Sequence, residues 1–191
     1  MGLGIRRIIN KIKINFDIFH FYLIYKIFDF NEACHLFFKI NKNSVIPILR
    51  KFGATIEDNC DIEKPLLFHN CNNFSNLYIG SNCHIGKYCF FDLRDKIIIK
   101  SNCTISMFTK FITHLDVGNS NLSELFKMES QPIDIDENCY IGANTTILMG
   151  VRIGLNSFIG ANSLVNKNIE PYTMVGGIPV KVIKKLDNNS L

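Results

Sequence analysis

The sequence predicts an all-β domain, a parallel β-helix of triangular cross-section, with a helical segment before it and one extruded loop within it. Three observations carry this. In DIDENCYIGANTTILMGVRIGLNSFIGANSLV, from Asp134, β-branched aliphatics recur at every sixth position: Ile135, Ile141, Ile147, Ile153, Ile159 and Val165. A strand repeats every 2 residues and a helix every 3.6, so neither explains the interval. Asparagine followed by a small residue recurs in phase with the aliphatics, at Asn138-Cys139, Asn144-Thr145, Asn156-Ser157 and Asn162-Ser163. The pattern then breaks once, over THLDVGNSNLSELFKMESQP, residues 113–132.

Six residues make one short strand and a corner. Three such units turn the chain through a circle and stack one coil on the next, so that Ile141 meets Ile159 eighteen residues on. Asn and Gly suit the corners because they accept backbone conformations that other residues resist. The stacking of coils is what stabilises such a repeat.

Taken in order, residues 1–52 lack the repeat. IRRIINKIKINFDIFHFYLIYKIFDFNEACHLFFKI reads as helix, with apolar residues three and four apart and a break at Asn43-Ser44. An open solenoid end exposes core, so this segment is expected to be a cap. Arg6, Arg7, Lys11 and Lys13 beside Phe16, Phe19 and Phe21 also suit a weak contact with an anionic membrane surface. The β-helix is expected over 53–178. Ile56, Ile62 and Phe68 open it; Ile79, Ile85, Phe91 and Ile97 follow a slip near 71–76; Ile99, Ile105 and Phe111 follow a two-residue shift. The loop at 113–132 must leave the coil, and such insertions usually carry function. Residues 179–191 form a basic tail, including VKVIKKL.

Composition narrows the function classes. The net charge of +4 does not call for nucleic acid. No signal peptide with a small-residue cleavage site is evident, and the apolar run IFHFYLIY at 18–25 is too short to span a bilayer. A cytoplasmic protein is expected, with peripheral contact at the inner membrane face as the extension of the basic, aromatic N-terminus. Of seven cysteines, five follow asparagine, and four of these have an isoleucine two residues on, as at the repeat position held by Thr145, Ser157 and Ser163. They read as reduced packing residues rather than as disulfides or a zinc site, and no CxxC is present.

The run CYIGANTTILMGVRIGLNSFIGANSLVNKNIEPYTMVGGIPVKVIKK, with ISMFTKFITHLDVGNSNL upstream, resembles the hexapeptide-repeat acyltransferases, within them the galactoside, maltose and polysaccharide O-acetyltransferases. The likeness covers about residues 53–185. It implies a left-handed coil, an exception to the right-handed rule for parallel crossovers that the spacing alone does not reveal. It further implies acetyl-CoA as co-substrate, no metal, a carbohydrate acceptor, and a homotrimer with active sites in the grooves between subunits. In similar enzymes a histidine in a Thr-His pair at the start of the loop is the general base; here that is His114. Imidazole titrates near neutrality, which suits removal of a proton from a sugar hydroxyl. Its carboxylate partner is left open between Asp116, near in sequence, and Asp95, in the preceding coil. Asp92 and Asp95, in FFDLRDK, match a stretch near the acceptor sugar; plain corner polarity explains them equally well. The resemblance places the backbone amides of Ala143 and Ala161 along the pantetheine channel. It places Asn166-Lys167 at a pair that is usually Thr-Lys, and Lys181 and Lys184 near the adenosine phosphates. Rival readings are an N-acetyltransferase on an amino or nucleotide sugar, and a non-catalytic solenoid. A γ-class carbonic anhydrase needs two histidines five residues apart, a spacing this chain lacks.

Overall fold

The protein is described by a computed structural model covering residues 3–186. Helix α1 (Leu3–Ile27) comes first, then α2 (Phe30–Cys34) and, after two short 3-10 turns, α3 (Val45–Lys51). The helical run predicted up to Asn43 is broken earlier than expected. Asp29 caps α2, its carboxylate accepting Glu32 N at 2.8 Å, and Asn41 caps the next turn by accepting Asn43 N at 2.9 Å. A short polar side chain that bonds the first free amides sets a helix start there.

From Thr55 the chain visits three sheets in turn. The first holds Thr55–Ile56, Leu77–Ile79, Ile97–Ile99, Ile133–Ile135 and Arg152–Ile153. The second holds Asp61–Ile62, His84–Ile85, Thr104–Ile105, Tyr140–Ile141, Phe158–Ile159 and Thr173–Gly176. The third holds Leu67–His69, Phe90–Asp92, Lys110–Ile112, Thr146–Leu148 and Leu164–Val165. All these strands pair in parallel, which is the winding of a parallel β-helix. Ile141 pairs with Ile159 as the six-residue repeat requires, and both are fully buried. Where the repeat slips, coils lengthen: Ile79 pairs with Ile99 and Phe68 with Phe91. Each isoleucine so buried contributes about 1.5–3 kcal/mol.

The interior of the third sheet is aromatic at its start. Phe68, Phe91 and Phe111 stack at 5.7 and 5.0 Å with nearly parallel rings. Phe37 and Phe74, fully buried, continue this column towards the helices, and Phe21 of α1 lies 6.0 Å from Phe37. The helices thus lay aromatic side chains on the open end of the coil. Phe21 is in this core, not on the outer face with Phe16 and Phe19 where the sequence reading grouped it, because it falls on the opposite side of the helix.

The corners divide their work between residue types. Asn59, Asn82, Asn102, Asn138, Asn144, Asn156 and Asn162 hold the positive φ, near 55–61°. Gly80, Gly86, Gly142 and Gly154, each after an inward isoleucine, serve a different need, close approach. A Cβ on Gly142 would sit 2.4 Å from Ala161 N, and one on Gly86 2.5 Å from Met107 N. The seven thiols are free. Cys83, Cys103 and Cys139 form a buried column, each Sγ donating to a carbonyl of the next coil (Lys100, Asp136 and Gly154, 3.1–3.2 Å). Ser157 continues it with Oγ on Glu170 O at 3.1 Å. Burial pushes the Cys89 thiol up to about 12, far from a reactive thiolate.

Two segments leave the coil. Residues 113–132 fold out as a hairpin, with His114–Leu115 antiparallel to Glu129–Ser130. Of the expected tail, Lys181–Lys185 form a strand antiparallel to Thr173–Gly176, and residues 187–191 lie outside the described residues.

Candidate active site

Third-sheet strands end at one corner with Asn70, Asp92 and Thr113-His114, each one to three residues beyond an inward phenylalanine (Phe68, Phe91, Phe111). At this corner the chain leaves the ladder for the loop. Thr113 N has lost its strand partner there, and the carboxylate of Asp92 takes it, at 2.9 Å to Oδ2. Thr113 Oγ lies 3.0 Å from the same oxygen and accepts Asp95 N at 3.2 Å. His114 Nδ1 also meets Oδ2, at 2.5 Å, while Asn70 Nδ2 donates to Oδ1 at 3.0 Å. The Asp92 side chain is 1% exposed and that of His114 19%.

Burial by itself raises the Asp92 carboxyl. The hydrogen bonds from His114, Asn70 and Thr113 outweigh it and hold the group below the usual aspartate value. An ionised carboxylate only accepts, so the Nδ1 facing it carries the proton. In the neutral ring that arrangement puts the lone pair on Nε2, where a proton can be accepted.

The partner of His114 therefore differs from both expected candidates. Asp116 turns back into its own loop, Oδ1 accepting Gly118 N at 2.8 Å and Oδ2 lying 3.8 Å from Arg94. Asp95 lies in the expected coil but bonds Lys96 N and Ser130 Oγ. Asp92, read as an acceptor-binding residue, is sealed beneath the ring instead and has no free face for a sugar. Two further residues join the site. Arg94 reaches Asn70 Oδ1 at 3.5 Å, and the ring of His69 lies 6.3 Å from that of His114. Their common signal is the place just after the inward aromatic in successive coils.

The other predicted residues lie apart. Ala143 and Ala161 occupy one corner in successive coils, at the start of third-sheet strands, whereas His114 follows the end of one. Across a strand of that sheet the two corners are on the order of 15 Å apart. Asn166 and Lys167, both exposed, follow the strand Leu164–Val165 and so lie along the same edge as His114, further down the coil. Lys181 and Lys184 would face opposite ways in a regular strand. A register shift between Met174 and Val175 leaves Ile183 unpaired and returns both lysines to one face, opposite Gly176 and Met174. Among the described residues no cluster of three His, Cys, Asp or Glu side chains is placed to hold a metal.

Comparison with known proteins agrees with this architecture. The family profile described as hexapeptide repeat of succinyl-transferase matches residues 132–167. The galactoside O-acetyltransferase of Escherichia coli K12 is 32% identical over 153 residues, covering 74% of this chain and 68% of that protein. The crystal structure of a maltose O-acetyltransferase from Clostridium difficile aligns with a TM-score of 0.72 at 27% identity, over 83% of this chain and 87% of that one. A hexapeptide-repeat acetyltransferase from Vibrio cholerae, complexed with acetyl coenzyme A, shares the fold at 24% identity, with a TM-score of 0.71 over 81% and 84% of the two chains. A winding of three parallel sheets set by a six-residue repeat, together with a relative of this identity and coverage, makes the chain a member of the hexapeptide-repeat acetyltransferases.

Proposed function

We propose that this enzyme transfers the acetyl group of acetyl-CoA to a sugar hydroxyl of a surface polysaccharide or glycan precursor, with His114 as general base, in a left-handed coil that works as a cytoplasmic homotrimer. The observation that carries the reading is the buried Asp92 carboxylate on His114 Nδ1, which leaves Nε2 as acceptor at the mouth of the loop. Nε2 removes the hydroxyl proton as the oxygen attacks the thioester carbonyl. The tetrahedral oxyanion, held by backbone N–H donors of a coil corner, collapses and expels the CoA thiolate. The imidazolium returns its proton to that sulfur. Asp92 is a positioning residue: it fixes the tautomer and stabilises the imidazolium, without contact with substrate. The sugar acceptor is supported by the galactoside and maltose O-acetyltransferases among the relatives.

Two features support assembly. The corner of Ala143 and Ala161, proposed to line the pantetheine channel, is a strand away from His114 within one chain, so a neighbour's corner is needed to bring thioester and base together. The loop also exposes Leu122, Leu125, Phe126 and Met128, apolar surface suited to an adjacent subunit. Lys181 and Lys184, on one face, are proposed to bind the 3′-phosphate of the donor, with Lys167 beside the channel.

The test is substitution of His114. His114→Ala and His114→Asn are both expected to lower kcat by roughly 100- to 10,000-fold, with acetyl-CoA binding and oligomer size unchanged. More than a tenth of wild-type kcat in either variant overturns the assignment. Alkaline treatment of the product separates an ester, which hydrolyses, from the amide an N-acetyltransferase would make.

A further inference from the structure

Helix α1 has two faces. One packs on the body of the protein: Phe21 is fully buried, and the Asp17 carboxylate accepts Asn41 N at 3.1 Å and Ser44 Oγ at 2.5 Å. The other carries Ile5, Ile8, Ile12, Phe16, Phe19 and Leu23, which are 36% to 64% exposed. At about 100° per residue their spacing confines them to an arc of roughly 80°, a stripe running about 27 Å along the helix. Arg6 and Lys13 border the stripe on one side, Lys11 and Lys26 on the other. Asp17 is the helix's only acid, and it is turned inward.

We infer that this stripe lies on an anionic lipid bilayer, with α1 in the plane of the interface. The apolar side chains enter the acyl boundary, while the flanking lysines and arginines keep their stems in the apolar layer and their charges at the lipid phosphates. The charge pattern decides against a second copy of the chain as the occupant. Two such helices face to face bring cationic borders together with no carboxylate to answer them. Among the described residues no helix, α1 included, is long and apolar enough to cross a membrane. The inference goes beyond the proposed reaction and does not depend on it, because its readout is partition onto lipid rather than turnover.

The chain has no tryptophan, so Phe16→Trp places a single indole in the stripe. With the full-length protein, vesicles of phosphatidylglycerol are expected to carry the chain upward on flotation and to shift that indole's emission to the blue. Vesicles of phosphatidylcholine should do neither. Lys11→Gln with Lys13→Gln should weaken the partition about 30-fold, at roughly fivefold for each cation removed. Ile12→Asp with Phe16→Asp should abolish it while oligomer size and acetyl transfer to a soluble acceptor stay at wild-type values. The inference is overturned if wild type fails to float with phosphatidylglycerol or floats equally with phosphatidylcholine. It is also overturned if the double aspartate variant floats like wild type, or if that variant lowers the oligomer order in sedimentation, which would show another copy covering the stripe.

Discussion

Replacing Asp92 by asparagine tests the pairing at the centre of the site, because the change is isosteric and removes only charge and one acceptor. The carboxylate takes Asn70 Nδ2 on Oδ1, and Thr113 N, Thr113 Oγ and His114 Nδ1 on Oδ2. If the new amide oxygen holds the Oδ2 place, its NH2 meets the NH2 of Asn70. If the amide turns over, its NH2 faces Thr113 N and drives the His114 proton to Nε2, removing the lone pair that the proposed base needs. At least one bond to a charged acceptor is lost, worth about 1.5–3 kcal/mol. For a chain of this size that lowers Tm by roughly 3–12 °C. In the proposed mechanism Asp92 acts only through the ring, so kcat should fall at least tenfold but no further than in His114→Ala, and the double variant should be no slower than His114→Ala alone. The assay is steady-state transfer by the two single variants and the double, beside melting curves. Independent, multiplying losses refute the coupling. The pH dependence has a definite sign. A folded-state value held below the ordinary aspartate value of about 3.9 gives stability that is present above it and is lost as pH falls through the folded value. The Tm gap between wild type and Asp92→Asn should be steady near neutrality and close on acidification below about pH 4. A gap that widens there contradicts the geometry.

Cys103→Ser keeps a donor for Asp136 O, as Ser157 does in the same column, so unfolding in denaturant should show a loss of only about 1 kcal/mol, with activity per folded molecule intact; stoichiometric zinc in the purified protein would contradict the packing role. Gly142→Ala forces a methyl to within 2.4 Å of Ala161 N and should cost about 3 kcal/mol or prevent folding, whereas Gly160→Ala, 3.4 Å from Val175 O, should be tolerated; equal melting temperatures for the two would show that the coils are not held this close. Lys181→Ala with Lys184→Ala should raise KM for acetyl-CoA and leave kcat nearly unchanged, an effect that disappears with dephospho-CoA donors; equal losses with both donors would place the lysines elsewhere.

Much of the architecture was legible in the sequence because it is repetitive and local. Much of each coil repeats one instruction: an inward apolar residue, often a glycine where backbones touch, a corner residue at positive φ, mostly asparagine, and a small residue beneath the next coil. Ile141 and Ile159 could be paired by counting, and the loop could be found where counting failed. Of the candidate site, the sequence singled out His114, whose Thr-His context resembles that of similar enzymes. Its partner was not, because Asp92 reads as one more polar corner residue beside Asp95 and Asp116.

The sequence by itself determined the winding, since a fixed interval of six allows one inward side chain per strand and requires a corner after each. It also determined the cysteine column, whose members share a repeat position with serine and threonine. Only the tertiary structure decided which carboxylate holds His114. That depends on where Thr113 N leaves the ladder between coils of unequal length, a matter of three-dimensional register that no local pattern encodes. It also decided that Lys181 and Lys184 share a face, through one unpaired residue, and that Phe21 belongs to the core while Phe16 and Phe19 face outward. For His114 and Phe21 the neighbours that fix the side chain come from elsewhere in the chain, Asp92 and the aromatic core; for the two lysines it is a bulge in a local hairpin, which strand alternation does not show.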